Sequence, residues 1–127
     1  MFWKVLKIIA IILFVLITLG AVWLAISNGR KSAQSRQIVK DAAAIAVALE
    51  YFYEDQNRYP SSDEFLDQNV MRQYADNFPP QEFLSANCST AFEYVNTFRS
   101  DYDLRFCLPK GVAGYRTGWN SIKAPQK

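Results

Sequence analysis

From Ile8 to Ser27 the chain reads "IIAIILFVLITLGAVWLAIS", twenty residues without a charge. A helix of about 20 residues, rising ~1.5 Å per residue, crosses the ~30 Å hydrocarbon core of a bilayer, and no open strand or loop can replace it there. The run therefore predicts a transmembrane helix, with residues 1–28 as an anchor and membrane lipid as its surroundings. A cleaved secretory signal is the competing reading, because Lys4 and Lys7 would serve as its basic start and Ala21 and Ala25 as small residues near a cleavage site. A signal's apolar core spans only about 7–15 residues, so length favours the anchor.

Residues 29–127 then form one small domain. The chain's formal charge of +2 resides in Lys4 and Lys7, because from Asn28 onward twelve Lys or Arg balance twelve Asp or Glu. No basic footprint remains for a phosphate backbone, which argues against a nucleic-acid partner. The charge bias across the span, with Arg30, Lys31, Arg36 and Lys40 on its far side, favours a cytoplasmic domain. Cys88 and Cys107, the two cysteines, favour the opposite, since a disulfide needs an oxidising compartment. The cysteines carry more weight here, and the domain is expected outside, with two reduced, packed thiols as the alternative.

Beyond the span, Asn28 and Gly29 are poor helix formers and mark an interruption or a kink. Ile38, Ala42, Ile45, Leu49 and Phe52 then recur at steps of four and three, which puts them on one helix face. Val39, Ala43, Ala46 and Tyr53 are expected to widen that face, which must bury against the domain's own core. A helix running with little break from Trp3 to Asp55 would be roughly 80 Å long. "DQNRYP" ends it, because Asn57 tolerates unusual backbone angles and Pro60 holds Tyr59 extended. Ser61 and Glu64 have capping-box spacing, and Phe65, Leu66, Val70 and Tyr74 give a short second helix its inner side. "NFPPQEF" is an ordered loop.

From Cys88 the period changes to two. Phe92, Tyr94 and Asn96 alternate against Glu93 and Val95, and Tyr102, Leu104, Phe106 and Leu108 against Asp103, Arg105 and Cys107. "NTFRSD" turns between them, giving an antiparallel hairpin centred near Thr97 and Phe98. Cys88 and Cys107 lie ten and nine residues from Phe98, so the hairpin brings them together. A bridge further requires Cα atoms within about 7 Å. "PKGVAGYRTGWN" is expected to be a loop folding Tyr115 and Trp119 back on the hairpin, and "SIKAPQK" a frayed tail.

With these elements in order, "RKSAQSRQIVKDAAAIAVALEYFYEDQNRYPSSDEF" resembles the segment of type IV pilins and type II secretion pseudopilins in which the helical spine leaves the membrane and ends in an aromatic, acidic turn at Tyr-Pro. The short second helix, the Tyr-rich hairpin, the cysteine pair and the glycine-containing C-terminus extend the resemblance over nearly the whole domain. It implies an α+β, pilin-like fold, a long N-terminal helix packed on a small antiparallel sheet. It also implies a structural subunit of a pilus or pseudopilus in the bacterial cytoplasmic membrane, self-associating or packing with other pilin-like subunits, and placed in a surface filament. The chain departs from that family at its start. Family precursors carry a basic leader ending in Gly before Phe-Thr-Leu-Ile-Glu, whereas here no Gly precedes Gly20 and no acid precedes Asp41. A prepilin peptidase is therefore expected to find no site, which keeps open a second reading, a membrane-tethered binding module that does not polymerise. Ala42, Ala43, Ala44, Ala46 and Ala48 would permit close helix approach in either case.

The chain has no His, which removes the commonest general base and metal ligand. No enzymatic activity and no cofactor are expected. Asp101 and Asp103 fall well short of the roughly 6–8 oxygens that calcium takes and are expected to be solvated turn residues. Asp63, Glu64 and Asp67 suit a helix N-terminus. Asn87-Cys88-Ser89 matches the short glycosylation triplet, with its cysteine expected in the bridge.

Overall fold

The computed structural model describes residues 1–80 and 88–126. Asn87 of the glycosylation triplet lies outside them. The layout is α+β: helices α1 (Phe2–Gln56), α2 (Ser62–Leu66) and α3 (Gln68–Met71), then strands β1 (Phe92–Phe98), β2 (Asp101–Leu108) and β3 (Gly118–Lys123). The chain divides into two compact units, Met1–Lys31 and Ser32–Lys127, so the division falls three residues beyond Asn28. Helix α1 passes Asn28 and Gly29 without a break. One Gly in a helix interior costs only about 1 kcal/mol, and no proline occurs before Pro60 to stop propagation.

In the second unit, Ile38, Ala42, Ile45, Leu49 and Phe52 are all buried, together with Ser35 and Ala48. Ala43 faces solvent instead of widening the stripe, while Val39, Ala46 and Tyr53 are half-buried. The sheet has the order β1-β2-β3, with both pairings antiparallel. Two clusters fill the space between helix and sheet. Ile38 and Ala42 meet Phe106 and Leu108. Ile45 and Leu49 meet Tyr102, Leu104, Tyr59, Phe65, Met71 and Phe78. The helix thus advances from Ile38 to Leu49 as β2 runs back from Leu108 to Tyr102.

Asn57 takes a left-handed φ of 55°, and its N–H closes on the Tyr53 carbonyl at 2.7 Å to end α1. Ser61 caps α2 in a full capping box with Glu64. Asp67, extended in the middle, ends α2 and caps α3, so the expected second helix is two short ones. That break rotates the sequence: Phe65 stays buried, Leu66 turns out to solvent, and Met71 takes the inner place.

Three further expectations are corrected. The hairpin turns at Arg99–Ser100 rather than at Thr97 and Phe98, because a register shift between Asn96 and Phe98 lengthens β1. "SIK" belongs to β3 and is no frayed tail, since Ile122 pairs with Leu104 and packs on both clusters. Asp103 is a half-buried strand residue, with Oδ1 buried and without a hydrogen-bond partner among the described residues. Cys88 and Cys107 form a disulfide across 19 residues of sequence, their Cα atoms 6.3 Å apart. The Cys107 N–H donates to the Ala91 carbonyl at 2.9 Å, which carries the ladder to the edge of the bridge.

Candidate functional site

The first unit is defined by what surrounds it. From Phe2 to Ile26 every large apolar side chain is exposed, Val15 least at 46 % and Phe2 most at 81 %. Such a surface is stable only against lipid or other apolar helices. Thr18, a hydroxyl midway along the run, turns its proton back to the Phe14 and Val15 carbonyls at 3.1 and 2.9 Å. This is how a helix carries a hydroxyl through hydrocarbon without an unmet donor. Trp3 and Trp23 stand twenty residues apart, about 30 Å along a helix, the spacing of the two aromatic belts of a bilayer. Lys7 sits 5.9 Å from the Trp3 ring, a cation–aromatic contact at the start of the run. Sequence reading passed over this tryptophan pair, whose signal was its separation.

In the second unit the expected packing face lies inside the head and is unavailable to a partner. The exposed side of α1 carries Lys40, Ala43, Ala44, Val47 and Tyr51, with Val47 at 52 % and Tyr51 at 54 % exposure. Of the five alanines noted for close approach, Ala42 and Ala48 are buried and Ala46 is half-buried, which leaves Ala43 and Ala44 outward. An open groove of about 430 Å³ borders this side, walled by Asp41, Val47, Tyr74 and Phe78 among others. Gln37 donates to Asp41 at 2.9 Å along its floor, and Arg72 Nε donates to the Phe78 carbonyl at 2.9 Å behind it.

The polar groups with displaced proton equilibria brace the head. Arg58 holds Glu64 through both of its terminal nitrogens, Nη2 at 2.9 Å. That pair, helped by the Ser61 N–H, lowers the Glu64 carboxyl to about 2. Tyr74 donates to Asp55 at 2.6 Å and lowers its carboxyl below the usual range. Tyr59, pushed up by burial and by its 2.7 Å bond to Glu50, packs edge-on against Tyr102 with ring centres 4.7 Å apart. Tyr94, raised by burial, donates to the Pro60 carbonyl at 2.6 Å and stacks on Phe65 at 4.2 Å. The aromatic and acidic run that ends α1 is therefore where the helix is fastened to its head.

Among the described residues no three metal-ligating side chains come together. Cys88 and Cys107 are bridged, so neither is a free thiol. No known family, curated protein or solved structure matches the chain.

Proposed function

We propose that this chain is a pilin-like, membrane-anchored structural subunit of a type IV pilus or secretion pseudopilus, held in the bacterial cytoplasmic membrane with its head outside. One observation carries the reading. A single helix is bare and apolar where it is long enough to span a bilayer, and the same helix supplies the buried spine of a disulfide-closed antiparallel head. What a chain built this way offers to others is surface: the apolar segment for neighbouring helices, and the Ala43, Ala44, Val47 and Tyr51 side of α1 for lateral contact. The disulfide supports an oxidising compartment for the head.

The second reading, a tethered module that does not polymerise, is favoured by the lack of any acid before Asp41, since the apolar segment then has no carboxylate to pair with a neighbour's amino group. Electron microscopy of sheared surface material with an antibody to the head, combined with N-terminal sequencing, separates the two. Labelled filaments are expected for the subunit. A protein confined to the membrane fraction with Met1 intact leaves only the module.

A further inference from the structure

The sheet has two edges, and they are treated differently. The β1 edge is broken by the register shift between Asn96 and Phe98, a device that discourages strand addition. Strand β3 pairs with β2 in unbroken register over all six residues, without proline or bulge, and no described residue pairs with its far side. The direction of its backbone groups follows from one bond. Ala124 N–H donates to the Tyr102 carbonyl, so that pair is hydrogen-bonded, and alternation makes Leu104/Ile122 and Phe106/Asn120 hydrogen-bonded too. Cys107/Trp119, Arg105/Ser121 and Asp103/Lys123 are then the non-bonded pairs, so Trp119, Ser121 and Lys123 aim their N–H and C=O groups away from β2. Of these six groups, the Trp119 carbonyl receives Arg116 Nε at 3.3 Å.

The charged side chains of the edge strand and of the loop that enters it are cations, while Asp101 and Asp103 of β2 stand beside Lys123. Arg116 and Lys123, at the two ends of the edge, are exposed and form no ion pair among the described residues, and Asp103 opposite Lys123 is not bonded to it. Arg105 lies over the Trp119 ring at 5.2 Å and already holds Glu93 at 3.0 Å. A second copy of this chain is a poor occupant. Antiparallel pairing of β3 with itself sets the Arg116 end of one copy against the Lys123 end of the other, so like charges meet at both ends.

We infer that the edge of β3, unpaired among the described residues, is a docking site for an extended, acidic segment of a partner protein, which adds as a fourth strand with its carboxylates toward Arg116 and Lys123. Backbone bonds at Trp119, Ser121 and Lys123 supply the register, and the two cations supply the choice of partner. The inference concerns a surface separate from the α1 side and holds for either reading of the function.

The test uses the full chain in detergent micelles and a fluorescein-labelled peptide of alternating valine and glutamate, eight residues long. Saturable binding is expected by anisotropy, together with slowed amide exchange at Trp119, Ser121 and Lys123, whose amides exchange fast in the protein alone. The alternating valine–lysine peptide is expected not to bind. Arg116→Glu with Lys123→Glu should weaken binding about fivefold or more, and Ser121→Pro, which removes an outward N–H only, by a similar factor. The proposal falls if the glutamate peptide does not bind, if both peptides bind alike, if protection appears in the Lys40–Phe78 groove instead, or if these amides are already slow without peptide. Should Ser121→Pro fail to fold, the charge-reversal variant decides alone.

Discussion

Leu49 and Val47 are two apolar residues on one helix whose fates diverge, and truncating each measures whether the helix face has been assigned correctly. Leu49 is fully buried among Ile45, Tyr59, Met71, Tyr102 and Leu104, whereas Val47 is half exposed. Leu49→Ala loses the transfer energy of its methyl groups and leaves a cavity that rings and a strand cannot collapse into, a loss of about 3 kcal/mol within the usual range of ~2–5. For the unit Ser32–Lys127, whose whole stability is of the order of 5–14 kcal/mol, that is a large share. Val47→Ala loses little burial and gains helix propensity, so its effect should stay within about 0.5 kcal/mol. Urea unfolding of the solubilised chain, followed by near-UV dichroism of the tyrosine cluster, reads both. With a slope of about 1–3 kcal/mol per molar urea, Leu49→Ala should move the midpoint down by at least ~1 M and Val47→Ala by no more than about 0.5 M. Leu49→Asp should abolish the transition, because it buries an unpaired charge. Equal shifts for Leu49→Ala and Val47→Ala would mean that the stripe is not the core.

Replacing Cys88 and Cys107 by serine opens a loop of 19 residues and should cost about 3 kcal/mol by chain entropy, visible as the same urea midpoint measured with and without reductant; an unchanged midpoint contradicts it. Glu64 is lowered from 4.5 to about 2 on folding, so its contribution is complete above the unfolded value and disappears as pH falls from about 5 towards 2. Because both partners are about one-third exposed, the effect is at most about 1 kcal/mol and shrinks with salt, and Glu64→Gln should lower stability by that amount above pH 6 and flatten the profile between about pH 5 and 2. Tyr102 is pushed up to about 12 by burial, so the neutral ring favours folding below the usual value near 10 and that stability is lost as pH rises through 12. Absorbance titration should then show Tyr59, Tyr94 and Tyr102 ionising only with unfolding, and a single transition near 10 for all tyrosines would contradict their burial. Tyr59→Phe, which removes the 2.7 Å hydrogen bond to the Glu50 carboxylate, should cost about 1–2 kcal/mol in the urea assay.

Local signals with one physical cause were readable in advance. Asn57 and Pro60 stop α1 because left-handed backbone and a missing donor act on the chain itself, and Ser61 with Glu64 caps α2 through contacts three residues apart. The stripe from Ile38 to Phe52 was legible because a face repeats on a fixed period. What escaped depended on distant partners. Strand β3 is a strand because β2 needs a neighbour, and "GWNSIK" has too little alternation to announce it. Leu66 and Met71 exchanged roles because Asp67 serves as both a stop and a cap, which periodicity does not register. Ser35, buried at 0 % exposure, precedes the apolar stripe, and no pattern marks a lone serine as buried. Its hydroxyl accepts the Lys110 N–H at 3.0 Å, a partner 75 residues away.

That bond between Ser35 and Lys110 also fixes a timetable. At roughly 5–20 residues per second of synthesis, 75 residues take about 4–15 s, and Ile38 and Ala42 wait nearly as long for Phe106 and Leu108 to cover them. The anchor is complete first and the core last, so the nascent chain depends on a holding protein or on the bilayer surface to shield the spine meanwhile. A chain halted before Phe106 would leave Ile38 and Ala42 without their strand partners, prone to aggregation, rather than form a smaller version of the head.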